Sequence, residues 1–438
     1  MMQKQNVTRT VLEGPLPDEQ LEKSTDAPPQ EAEKSTNTHP QNIVGDGDLP
    51  TEDDLKTLRR IHDKIPLAIF LVAMAEVAER FAYRCLTGPM QNYIQNPFHD
   101  SLRPGALGLG QATATAIGYF FQFWCYLTPI LGAVAADSWL GRFKTILFGA
   151  MIATVGIAIL FVTSLPISLE HNAGLPGLII SLLIVGLGTG GIKSNVGPLI
   201  AEQYSDSKPT IKTLKTGERV ILDPDVTIQT IFSRYYWFIN VGASSGLIAT
   251  WVEVKVGFWA AYLISLCVYT FTVMVLITGR KKYITRPPQG SIIPQAFHAF
   301  WIGLKSGFDM DKAKPSYMIQ EHGHSDVSWD DHFIDELKIA LIACRVFPVF
   351  WTCYGQTSGN LVSQAARMNT YGLPNDFFGS INPITVLLLI PLLDNWIYPA
   401  LRHHKIEFKP IARITVGFFT MSAGIAFAAG SQYCMGSW

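Results

Sequence analysis

The sequence predicts an all-α protein that crosses a membrane many times, and three observations carry that expectation. Of 438 residues, 48% are hydrophobic and only 16% are charged. The polar residues are unevenly spread, because residues 1 to 60 are rich in Pro, Asp, Glu, Thr and Gln, whereas the chain after Ile65 is a series of apolar blocks. Most of those blocks reach about 20 residues, the length a helix needs to cross the hydrocarbon core of a bilayer. A net charge of −1, with no basic patch interleaved with aromatic residues, argues against nucleic acid as a partner.

In chain order, residues 1–60 read as a disordered acidic tail that stays in the cytoplasm. It lacks an apolar core after its first charges, so no cleavable signal is expected and the first span serves as the insertion signal. Nine spans follow, at about 65–93, 108–136, 143–165, 176–203, 229–251, 257–279, 336–367, 379–400 and 411–431. Residues 61–280 form a six-helix bundle, and residues 336–438 supply three further helices. The intervening 281–335 is a cytoplasmic linker, whose patch Phe297–Leu304 is too short to span and reads as an interfacial helix. Orientation follows from the basic residues of the short loops. Arg142 and Lys144, Lys208 to Arg219, Arg280 to Arg286, and Arg402 to Arg413 all fall on one side, which places the N-terminus inside. Six cysteines occur singly, with no ladder of spacings for zinc or a disulfide framework, and are read as small apolar packing residues.

The first span holds the most unusual stretch. Ile65 to Ala75 carries no charge, and Glu76, Glu79, Arg80 and Tyr83 then fall at i, i+3, i+4 and i+7, one polar stripe on an apolar cylinder. A charge at bilayer depth costs about 2.5 to 3.5 kcal/mol on insertion scales, so such residues line a cavity and act there, or form an ion pair that only sets helix register. In span four, Gly186–Asn195 contains a formal GxGxxG, but Ile192 breaks the Gly-Lys step of a phosphate loop and no strand–helix units surround it. Small residues in close helix contact explain the glycines. Lys193 needs either a counter-charge, for which Glu76 and Glu79 are the candidates, or an outlet to the membrane interface. Asn240, in the aromatic-rich Arg234–Ala243, is a buried amide that suits a helix–helix bond as well as a ligand contact. The same holds for Tyr126, Gln356 and Asn382. Between spans two and three, Gly132–Thr145 makes a tight turn in which Asp137 and Arg142 can pair and latch neighbouring helices as a conformational gate. His322-Gly323-His324 and His403-His404 read as solvated loop histidines, and no nucleophile, base and orienter occur together, so neither a metal, a cofactor nor an enzymatic activity is expected.

Taken together, residues 76–83, 132–145, 188–195 and 235–242 resemble the proton-dependent oligopeptide transporter (POT/PTR) family. Leu214–Ile221, with Tyr354-Gly355-Gln356 and Ser363-Gln364-Ala365, looks like its fungal branch. The resemblance implies a major facilitator superfamily fold of twelve helices, of which about nine are present here, so the chain reads as lacking its last three spans. It also implies inward symport of di- and tripeptides with protons; the plasma membrane is the default for such an uptake system, and a monomer is expected. By the same resemblance Arg80 and Lys193 hold the peptide carboxylate. Glu76 and Glu79 exchange protons as their salt bridges with Arg80 and Lys193 change. Tyr83, Tyr126, Asn240, Asn382 and Gln356 line the substrate site. Three departures stand out. Arg84 occupies the second position of the family's tandem tyrosine and Cys85 the following glycine, the neutral pair Gly355-Gln356 replaces an acidic residue of span seven, and spans ten to twelve, with the acidic residue of span ten that the resemblance implies, are read as absent. The alternatives are a non-transporting or regulatory relative, and a carrier of a non-peptide substrate such as nitrate.

Overall fold

The computed structural model describes residues 49–98, 104–204, 208–322, 327–345, 347–353, 381–403 and 410–436. The described part is overwhelmingly helical. A short helix α1 (Glu52–Thr57) opens it, started by a reciprocal capping box between Thr51 and Asp54. Strand β1 (Arg59–Ile61) follows at once. Residues that composition assigns to a disordered tail ending at 60 therefore carry helix and strand from 52 onward. The reason is tertiary: β1 pairs in parallel with β3 (Arg219–Leu222), which pairs antiparallel with β2 (Thr210–Thr213). This small sheet, unforeseen in the sequence, buries Ile211, Val220 and Ile221 and fastens the start of the first span to the loop before the fifth. Asp63 N–H donates to Thr227 Oγ1 at 2.9 Å and completes the tie.

The spans follow in the expected order. Helix α2 (Leu67–Gln95) is the first, α3 (Gly110–Ala135) the second, extended by a wider turn over Ala136–Leu140, and α4 (Arg142–Thr163) the third. The short α5 (Pro166–Glu170) leads to α6 (Gly174–Lys193) and α7 (Val196–Glu202), which together make the fourth. The fifth is α8 (Pro224–Ala243) with α9 (Ser245–Lys255), and the sixth is α10 (Phe258–Gly279). Two spans are interrupted for identifiable reasons. Asn195 Nδ2 donates to the Gly191 carbonyl at 2.9 Å and loosens the α6–α7 junction, while Ser244 Oγ donates to the Asn240 carbonyl at 2.8 Å where α8 gives way to α9.

Glycine sets the helix spacing. A methyl group on Gly188 would lie 2.5 Å from the Gly149 carbonyl oxygen, and one on Gly149 would lie 2.7 Å from that of Gly188, so α4 and α6 touch backbone to backbone. Gly190 meets Thr128 of α3 in the same way, and Gly242 meets the Val77 carbonyl of α2. The glycines of span four are thus a packing face, as the sequence reading held against a phosphate loop.

After α10, a helical turn over Arg280–Lys282 gives way to an irregular segment that reaches Gly290. Gln203 and Ile284 exchange two hydrogen bonds of 2.8 and 2.9 Å, and Gly290 N–H donates to the Asp137 carbonyl at 2.9 Å. A satellite then forms from α11 (Ile293–Lys305), α12 (Pro315–His322) and α13 (Asp331–Cys344) around Ala299, Ala313, Trp329 and Ile334. The bound of the linker at 335 falls inside α13, because Lys338 donates to Asp311 at 2.7 Å and draws that helix into the satellite. Residues 347–353 are helical; Ile381–Leu392 packs against α8 and continues through a wider turn into Tyr398–His403; Pro410–Gly436 ends the described chain. Of the cysteines, Cys85 and Cys125 are buried as expected of packing residues, whereas Cys267, Cys344 and Cys353 are exposed.

Candidate functional site

The polar stripe of α2 gathers as the spacing requires. Glu76 and Glu79 are buried, at 3% and 0% exposure. The Arg80 guanidinium lies between them, its Nε 2.9 Å from Glu76 Oε1 and 2.8 Å from Glu79 Oε2. One cation thus serves two carboxylates. Among the described residues, Glu76 Oε2 is buried without a hydrogen-bond partner. An arrangement with one surplus buried negative charge is stable only while the cation stays, or while one carboxylate is protonated.

Other helices close the cluster. Tyr235 of α8 stands beside Glu76, and Tyr269 of α10, 1% exposed, stands beside Thr189 of α6 and Glu79. None of these three appears among the residues chosen from sequence. Tyr235 falls in the aromatic-rich Arg234–Ala243, Tyr269 and Thr189 carry no signal of their own in the sequence, and only the crossing of α2, α6, α8 and α10 brings them to the carboxylates.

Lys193 sits at the end of α6 with its Nζ 4.2 Å from the centre of the Tyr126 ring, a cation–π contact across to α3. Among the described residues no carboxylate lies within ion-pairing distance of it, so Arg80, and not Lys193, holds Glu76 and Glu79 in this conformation. Lys193 remains within electrostatic reach of Glu79 and Arg80. Tyr126 is 54% exposed and turns toward the open side of α3. Tyr83 stacks on Phe121 with ring centres 5.8 Å apart. Arg84, the unexpected cation, is exposed and turned off the buried stripe.

Asn240 is buried, but its amide donates to the Tyr236 carbonyl of its own helix at 2.8 Å. Gly242, two residues on, lets α8 approach α2 beside Arg80. Asn382 lies exposed at the start of the helix that packs on α8. Gln356 falls outside the described residues.

At the turn after α3, Arg142 Nε is 3.7 Å from Asp137 Oδ1, while its Nη1 is 2.8 Å from Glu202 Oε1 at the end of α7. The expected pair is present, yet the stronger partner is Glu202, which is distant in sequence. Gly141, with φ of +79°, makes the sharp reversal that brings Arg142 to both.

Compared with known proteins, residues 143–436 match the PTR2 profile, described as the POT family. The chain belongs to the POT family. It is 44% identical over 391 residues to the peptide transporter PTR_B of Candidozyma auris, covering 89% of this chain and 66% of that protein. It is 41% identical over 395 residues to the peptide transporter PTR2 of Saccharomyces cerevisiae, covering 89% and 65%. The chain therefore spans about two thirds of the length of these POT relatives. Its fold is that of the solved POT transporters. The auto-inhibited POT peptide transporter aligns with a TM-score of 0.58 at 20% identity, covering 84% of this chain and 76% of that one. The POT transporter PepTSo aligns with a TM-score of 0.57 at 20% identity, covering 79% and 72%. These relatives are named as peptide transporters or POT family transporters.

Proposed function

We propose that this chain acts in the uptake of di- and tripeptides together with protons, with Arg80 as the exchange point between the two cargoes. The observation that supports the reading is the single guanidinium shared by Glu76 and Glu79, at 2.9 and 2.8 Å. A peptide brings its own carboxylate. When that group engages Arg80, one glutamate loses its partner inside the protein, and a buried carboxylate without a cation is tolerated only once protonated. Substrate and proton binding are then linked through one shared cation, and linkage is reciprocal. The fungal relatives named peptide transporters support the choice of substrate.

Lys193 offers a second cation to the peptide carboxylate, held by the Tyr126 ring and not neutralised by a carboxylate among the described residues. Tyr83, Tyr126, Asn240, Asn382 and Gln356 supply the polar contacts that backbone and termini present in every peptide, which fits tolerance of side chains. Asp137, Arg142 and Glu202 form the cytoplasmic latch whose opening accompanies release. The protein works as a monomer in the plasma membrane, and its N-terminus lies inside because the basic loop residues share one side.

The test is uptake of a labelled dipeptide by cells expressing the chain, driven by an inward proton gradient, beside Glu79→Gln and Lys193→Ala. The expected result is gradient-dependent uptake that both substitutions abolish while the protein still reaches the membrane. Uptake of labelled nitrate, unaffected by competing dipeptide, would replace the peptide reading. Absence of either uptake from the unsubstituted chain would favour the non-transporting relative.

A further inference from the structure

Helix α11 turns its apolar side outward. Ala299 and Gly303 face the satellite core, whereas Phe297 is 67% and Trp301 47% exposed, with Ile293 on the same arc one turn earlier. A helix of a water-soluble domain does the reverse, and exposed aromatic faces of this kind mark contact with another phase or partner. Two observations fix which one.

The first is level. Gly290, three residues before α11, donates to the Asp137 carbonyl in the wider turn that extends α3, and α11 packs against α3. Gly110–Leu140 is long and apolar enough to cross a membrane, so α11 is held at the height where that helix leaves the bilayer. Trp139, 74% exposed in the same turn, is the kind of side chain that sits at the headgroup boundary. The second is charge. Lys305 edges the apolar arc, its Nζ 5.6 Å from the Trp301 ring centre, and Arg280, Lys281 and Lys282 are exposed where α10 ends. An apolar arc with Lys305 at its edge, and a basic cluster where α10 ends, matches a surface that is greasy below and negative above.

We infer that α11 docks on the cytoplasmic leaflet by inserting Ile293, Phe297 and Trp301 below the headgroups of anionic lipids, which Lys305 and the Arg280–Lys282 cluster bind. This goes beyond the transport reading and does not depend on it. The consequence is mechanical: the satellite, tied to the Asp137 turn through Gly290 and held together by the Lys338–Asp311 bond, is anchored to the lipid surface.

The full chain is reconstituted in nanodiscs of phosphatidylcholine alone or mixed equally with phosphatidylserine. An environment-sensitive fluorophore is attached in a cysteine-free background at Phe297→Cys, or at Lys215→Cys as an aqueous reference. Quenching by lipids labelled near the headgroup is compared with quenching by iodide. The expected result is lipid quenching at position 297 and not at 215, stronger in the anionic discs. Lys305→Glu is expected to shift the ratio of lipid to iodide quenching at least fivefold toward iodide, equivalent to about 1 kcal/mol per basic residue at an anionic surface. Lipid quenching equal in both discs would overturn the assignment to anionic lipid. Iodide quenching as strong at 297 as at 215 would overturn docking altogether, and protection from both quenchers would assign the face to a protein partner instead. A transport defect without any of these changes would speak only to the proposed function.

Discussion

Removing the shared guanidinium is the sharpest perturbation the site allows. In Arg80→Met the two carboxylates of Glu76 and Glu79, both buried and both within 2.9 Å of Arg80 Nε, lose their cation together. Breaking a buried pair by removing one partner costs about 3–5 kcal/mol. The figure agrees with an independent route, since neutralising one ordinary carboxylate at pH 7 costs about 3.7 kcal/mol at about 1.36 kcal/mol per pH unit. Adding Glu76→Gln to Arg80→Met is expected to recover most of one carboxylate's share. The triple variant with Glu79→Gln as well is expected to return to the parent or rise above it, because exchanging a whole buried ionic group for neutral side chains is often neutral or stabilising by about 1–4 kcal/mol. The assay is thermal unfolding in detergent, followed by tryptophan fluorescence, with dipeptide uptake measured in parallel. Stability should fall and recover across the series while uptake stays absent throughout. If all three variants unfold at the same temperature, the carboxylates are not coupled through Arg80 and the proposed exchange has no electrostatic basis.

The remaining expectations concern the frame around the site. Gly188→Val must push α4 from α6, since its first carbon would meet the Gly149 oxygen at 2.5 Å and the Ala153 nitrogen at 2.6 Å; unfolding in detergent should show a loss of about 1–3 kcal/mol, whereas Gly197→Ala, which meets nothing within 4 Å, should show none. At the cytoplasmic turn, Glu202→Gln should speed tryptic cleavage after Arg142 more than Asp137→Asn does, because the Arg142 contacts are 2.8 and 3.7 Å respectively; equal rates would remove Glu202 from the latch. In the satellite, hydrogen bonds from Lys338 and Lys314 hold the Asp311 carboxyl below the ordinary carboxylate range. Its folded value is depressed, so its stabilisation is complete above the ordinary carboxylate range of about pH 4 and is lost as pH falls through its own lower range. Trp329 fluorescence should therefore report loosening on acidification, and Asp311→Asn should flatten that response.

Much of this protein is local in origin and could be read along the chain. A block of about 20 apolar residues has few stable fates other than a spanning helix, because backbone groups in hydrocarbon must bond within their own segment. Hence the helices from Leu67 to Gly279 lie within a few residues of where the hydropathy put them. The stripe from Glu76 to Tyr83 was equally legible, since helical spacing alone puts Arg80 against Glu76 and next to Glu79. What lay beyond the sequence is whatever depends on two distant segments meeting. Strand β1 exists only because residues 219–222 offer it a partner, so composition assigned its residues to a tail. Arg142 finds Glu202 across the ends of two spans, and Lys193 finds the Tyr126 ring where the sequence suggested a carboxylate. That last choice illustrates the division between the two sources. Residue types announce that a buried charge needs a partner, and the crossing of helices, set here by glycines too small to hold them apart, decides which partner it gets.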